Sequence, residues 1–160
     1  MAYLDSLLEF SDSQAVTADA VGTNVVSLLA DRSIGTGEPL AVVFHVEVAA
    51  DQTTGDEDYT FDVEYASDAA QTTARQLIGR RVFESGTPTA PAQDADLLVA
   101  GFKFFIPIPP TTLSESELFL GIRYDVTGTT PTITCSAYLT PLSMVTENAD
   151  GGYQDDKTIV

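Results

Sequence analysis

The sequence predicts an all-β protein, a single-domain antiparallel β-sandwich of jelly-roll-like build with extended terminal arms. Three observations lead there. Apolar residues recur at period two in several stretches, most clearly Leu40–Ala49, Tyr59–Tyr65 and Glu117–Leu139, and such alternation marks strands with one face toward a core. Turn-forming residues separate these stretches at short intervals. No segment carries the helical period over a convincing length. About eight strands result, the number expected of a sandwich or jelly roll.

Taken in order, residues 3–10 (Tyr-Leu-Asp-Ser-Leu-Leu-Glu-Phe) fit either a helical turn with Leu4, Leu7 and Leu8 on one side or an extended arm. Ser11-Asp12-Ser13-Gln14 is expected to punctuate the chain, followed by short strands at Ala15–Ala18 and Asn24–Leu29 around Gly22. Asp31–Pro39 is dense in turn residues and leads into Leu40–Ala49. There Leu40, Val42, Phe44, Val46 and Val48 form one apolar face, with Ala41, Val43, His45 and Glu47 opposite. Asp51–Asp58 is an acidic loop, after which Tyr59, Phe61, Val63 and Tyr65 alternate with Thr60, Asp62 and Glu64. Arg75–Phe83 is a further strand, then Glu84–Asp96 a long loop. Leu97–Ile108 carries Phe102, Phe104, Ile106 and Ile108 on one face until Pro107, Pro109 and Pro110 end the ladder.

Glu117–Leu139 is expected to be a half-buried antiparallel hairpin. Leu118, Leu120, Ile122, Tyr124 and Val126 face inward, as do Ile133, Cys135, Ala137 and Leu139 beyond the turn Thr127-Gly128-Thr129-Thr130-Pro131. Phe119, Arg123 and Tyr138 are the bulky residues of its outward face. The sandwich domain is expected over residues 1–143, including a short N-terminal arm at 1–13. Residues 144–160 lose the alternation and form a tail, either frayed or ordered on a neighbour.

A chain of 160 residues fits one domain with a sizeable core. Its net charge of −17, with only seven Lys plus Arg, repels phosphate backbones and anionic lipid, so neither nucleic acid nor membrane is an expected partner. The N-terminus lacks the basic start of a signal peptide and no apolar run is long enough to span a bilayer. The single cysteine, Cys135, sits at an inward position and is expected to be a packed thiol.

No enzyme is expected. His45 is the one histidine, and the Gly-x-Ser-x-Gly pattern that would give it a nucleophile is absent. One His and one Cys provide no zinc ligand set, and no metal or other cofactor is required. The cluster Asp51, Asp56, Glu57 and Asp58 leaves open a weak calcium site, although its spacing does not match an EF-hand and a solvated acidic loop accounts for it. Arg75, Arg80 and Arg81 place three of the seven cations on one strand, with Arg80 opposite Arg75 and Arg81. They serve either cross-strand pairing with local acids or docking of an acidic partner. Tyr3, Leu4, Leu7, Leu8 and Phe10 either cap the domain's own core or pack on another subunit.

Four blocks stand in a fixed order along the chain: Tyr3-Leu4-Asp5 with Leu8–Thr17, Thr23–Leu28, Ile34–Leu40, and Leu118–Gly128. In that order they resemble the Bbp16-type capsid cement proteins of tailed bacteriophages, and the chain after Met144 matches none of the family's pattern. At Ser27 family members tend to carry an acidic residue. The resemblance implies a sandwich or jelly-roll subunit made in the bacterial cytoplasm and placed on the outer surface of the icosahedral shell. It would form a homo-oligomer, a dimer or trimer, and bridge neighbouring major capsid proteins. On that expectation Tyr3, Leu4, Leu7, Leu8, Phe10, Arg75, Arg80, Arg81, Phe119, Arg123 and Tyr138 are candidate capsid or subunit contacts. The alternative is a carbohydrate- or receptor-binding virion module, calcium-dependent through Asp51–Asp58.

Overall fold

A computed structural model describes residues 8–28, 39–86, 89, 91–109 and 118–147. Tyr3, Leu4 and Leu7, the turn segment at 31–38 and the tail beyond 147 lie outside these. The described residues form strands β1 (Glu9–Val16), β2 (Ala20–Val21), β3 (Val26–Ser27), β4 (Leu40–Val48), β5 (Asp58–Ala66), β6 (Gln76–Glu84), β7 (Gln93–Asp94), β8 (Lys103–Ile108), β9 (Phe119–Thr127) and β10 (Ile133–Pro141), then a short helix α1 (Leu142–Glu147). One sheet runs β1-β10-β4-β8 and the other β2-β9-β5-β6-β7, with β3 also on β9. All pairings are antiparallel except β6 with β7. The fold is an all-β sandwich.

The alternation expected across Glu117–Leu139 holds, but the hairpin does not. Leu120, Ile122, Tyr124, Val126, Ile133, Cys135, Ala137 and Leu139 are all buried. Yet β9 pairs with β5, β2 and β3, whereas β10 pairs with β1 and β4. The two strands lie in opposite sheets. Packed sheets stand about 10 Å apart, and the link 128–132 is long enough to cross that gap. It is held there by the 51–58 loop: Asp51 N–H donates to Thr132 O (2.9 Å) and Thr129 N–H to Asp56 Oδ1 (3.0 Å). Gly128 has φ +100°, and a Cβ on it would stand 2.3 Å from Asp56 O, so this crossing needs glycine. The hairpin of the described fold is instead β5–β6.

Two other expectations are corrected. Ser11–Gln14 does not interrupt the chain but lies inside β1, whose register against β10 slips twice around Ser13 (φ +47°). The polar residues accommodate a bulge rather than a break, so β1 takes up part of the expected arm at 1–13. Leu97–Ile108 is a strand only from Lys103; Ala95–Leu97 form a 3-10 turn capped by the Asp94 carboxylate, and Pro107 sits within β8. That proline is tolerated because β8 is an edge strand, where one side needs no donor. The short helix α1 follows β10 directly.

The two inner faces interdigitate around an aromatic cluster. Phe44 stacks on Phe104 at 5.1 Å, and Phe61 meets Phe104 edge-on at 4.9 Å and Tyr124 at 5.7 Å. The Tyr124 hydroxyl shares a buried hydrogen bond of 2.7 Å with Ser11, so the bulged strand satisfies a polar group in the core. Cys135 is fully buried, and burial, with Glu47 nearby, pushes its thiol up to about 12. In the native protein it should therefore resist a thiol reagent at pH 8, while denatured chain labels at once. Comparable labelling rates in the two states would contradict this packing.

Candidate functional site

The outer face of the second sheet carries a ladder of charge built on β5. Asp62 and Glu64 point away from the aromatic core, yet their side chains are each 2% exposed. Their cover comes from the 67–74 loop and three arginines. Asp68 organises the loop by accepting the Thr72 and Thr73 N–H groups, and Ser67 N–H donates to Thr73 O (3.1 Å). Gln71, at φ +55° and fully buried, then lies against Gly121 of β9; a Cβ there would stand 2.6 Å from Gln71 Cδ. The glycine makes room for the loop.

Each carboxylate is met by guanidinium. Arg80 of β6 donates to both oxygens of Asp62, Nε at 2.7 Å and Nη2 at 2.6 Å, in the planar forked geometry. Glu64 is gripped from two sides, by Arg75 Nε (3.1 Å) and by Arg123 Nε (3.2 Å), and Arg123 Nη2 also donates to Gln71 O at 2.8 Å. Beyond Asp62 on this face stands Asp125, whose carboxyl is held above its usual range by burial first, then by the charges of Asp62 and Asp19; Arg123 and Arg80 offset this only in part.

Arg75 and Arg80 thus share the outer face, contrary to the expected placement, and Arg81 lies on the other. The strict alternation fails because β6 carries an extra residue against β5, where Val63 pairs with Gly79 but Glu64 with Leu77. Arg81 pairs with Phe61 and so faces the opposing sheet. Of the expected hairpin face, Phe119 and Arg123 are on this sheet while Tyr138 is half-buried on the outer face of the other. Phe10 is fully buried and Leu8 packs against the core. These two cap the domain itself.

The other outer face brings Ser13, His45, Glu47, Lys103 and Ser136 near one another. Ser13 Oγ (2.6 Å) and Ser136 Oγ both donate to Glu47, holding that carboxyl below its usual range. Burial, then Lys103, lowers the imidazole of His45, with Glu47 opposing. No hydrogen bond joins His45 to either serine among the described residues, so the hydroxyls serve the carboxylate and stitch β1 to β10. In the acidic loop, Glu57 is fully buried and accepts N–H groups from Thr54 (3.1 Å), Gly55 (2.9 Å) and Asp56 (3.2 Å), while Asp51 accepts from Thr53. Asp56 accepts from Thr54 and Thr129. These carboxylates hold their own loop together, and no group of three metal-ligating side chains occurs among the described residues.

The Bbp16 family matches over residues 10–139, which spans every strand from β1 into β10. The chain belongs to the Bbp16 family. Its match includes the whole charge ladder and the crossing link at 128–132. No curated protein matches the chain. The Bbp16 region has no helix long and apolar enough to cross a membrane among the described residues. Sequence reasoning singled out the arginines but missed Asp62, Glu64 and Gln71. The first two were legible as acids two apart on one strand beside an arginine-rich one; the third needed the loop's path.

Proposed function

We propose that this protein is a structural capsid cement protein of a tailed bacteriophage, bound to the outer surface of the shell and bridging neighbouring major capsid proteins. Membership in the Bbp16 family over nearly the entire sandwich is the observation that carries the reading. The fold supports it. Sheet orders β1-β10-β4-β8 and β2-β9-β5-β6, with most connections crossing between sheets, are those we read as a jelly roll, an architecture found in capsid and lectin domains. The charge of −17 suits a surface exposed to solvent and away from packaged nucleic acid. The protein acts without catalysis, as a homo-oligomer on a lattice where many weak contacts add by avidity.

The carbohydrate-binding alternative loses its support in the acidic loop, where Asp51, Asp56 and Glu57 are already engaged by the loop's own donors. Purified protein added to undecorated shells of the phage that encodes it should co-sediment with them and raise their melting temperature. Shells that neither retain the protein nor melt later would refute the cement reading.

A further inference from the structure

We infer that the edge of β6 left unpaired among the described residues takes up an extended, carboxylate-bearing segment of the shell protein as an added strand, with Arg81 as its charge anchor. This rests on the cement reading and names the docking surface. Strand β7 pairs with β6 at Phe83 and Glu84 only. Over Gln76–Val82, no strand lies on that side among the described residues. Such an edge presents unpaired N–H and C=O groups, which an extended segment can satisfy. The neighbouring edge of the other sheet, β8, is a poorer acceptor because Pro107 lacks a donor and Pro109 follows directly. Edge β6 contains no proline, and Leu77 stands 50% exposed on it.

Charge selects the occupant. Arg75, Arg80 and Arg123 each hold a buried carboxylate, whereas Arg81 has no acidic partner among the described residues of a chain with 24 Asp plus Glu. It borders a shallow groove with Ile78, Gly79, Ile106, Pro107 and Pro109. Arg80 lines the groove too but is held by Asp62, so a largely apolar groove with one guanidinium unpaired among the described residues fits a segment alternating apolar and acidic residues, a carboxylate meeting the fork of Arg81. A charge pointing inward on an edge strand can also act as a guard against strand pairing. The two roles predict opposite results.

The test uses the full chain and undecorated shells. A Leu77→Cys variant gives a single reactive thiol, since Cys135 is buried. Maleimide should label it readily in free protein and at least tenfold more slowly on shells. Arg81→Glu should lower shell occupancy at least tenfold with an unchanged melting temperature, and Arg81→Lys should restore part of it. If wild type decorates shells while labelling at residue 77 and Arg81→Glu occupancy stay unchanged, the edge is not the docking surface and the cement reading survives. Equal protection in free, concentrated protein would mean that a second copy occupies the edge, and Arg81→Ala causing self-association with normal decoration would make Arg81 a guard; either overturns the inference. Wild type failing to bind shells removes both it and the cement reading.

Discussion

Phe61→Ala should lower the stability of the sandwich by about 3–5 kcal/mol, the largest loss expected of any single side chain described. Phe61 is buried at the centre of β5 and touches the rings of Phe44, Phe83, Phe104 and Tyr124. Those partners come from both sheets, so the ring joins the two layers. Truncation removes buried apolar area and leaves a cavity that stacked neighbours on rigid strands cannot fill. A domain of this size has about 5–15 kcal/mol in all, so the variant should unfold at much lower urea with an unchanged slope. Phe61→Leu should lose less than half as much. A loss below about 1.5 kcal/mol for the alanine variant, the range of well-tolerated core exchanges, would show that the aromatic cluster is not the structural centre.

Arg123→Ala and Arg75→Ala remove guanidiniums from the same carboxylate at nearly the same distance, 3.2 and 3.1 Å from Glu64, yet their costs should differ. Arg123 is 16% exposed and Arg75 44%. Losing Arg123 also leaves Gln71 O without that donor, so about 2–3 kcal/mol is expected from breaking a largely desolvated charge contact. Losing Arg75, where water replaces the cation, should cost less than about 1 kcal/mol. Hydrogen exchange should report faster opening of the 67–74 loop in the Arg123 variant. Equal costs by urea denaturation would show that exposure does not grade the ladder. Arginines committed to buried acids are poor candidates for long-range salt-sensitive contacts, which among the described arginines leaves Arg81.

By itself the sequence determined most of the long strands and, on β9 and β10, which residues face inward. Period-two alternation is a local property: Leu120 and Ile122, or Ile133 and Cys135, declare a face wherever their strand is placed. It also carried the family resemblance, since block order survives without any knowledge of pairing. Only the tertiary structure decided which strands are partners. Thr127–Pro131 has the composition of a hairpin turn, but β9 and β10 find better neighbours elsewhere, and Gly128 threads the link past Asp56 from one sheet to the other. The same holds for the arginines. One extra residue in β6 put Arg75 on the same face as Arg80, because a slip of one position reverses every side chain beyond it, while Arg81 stays opposite Arg80 as simple alternation requires. Burial of Asp62 and Glu64 was likewise invisible locally, because it depends on a loop folding back over an outward face.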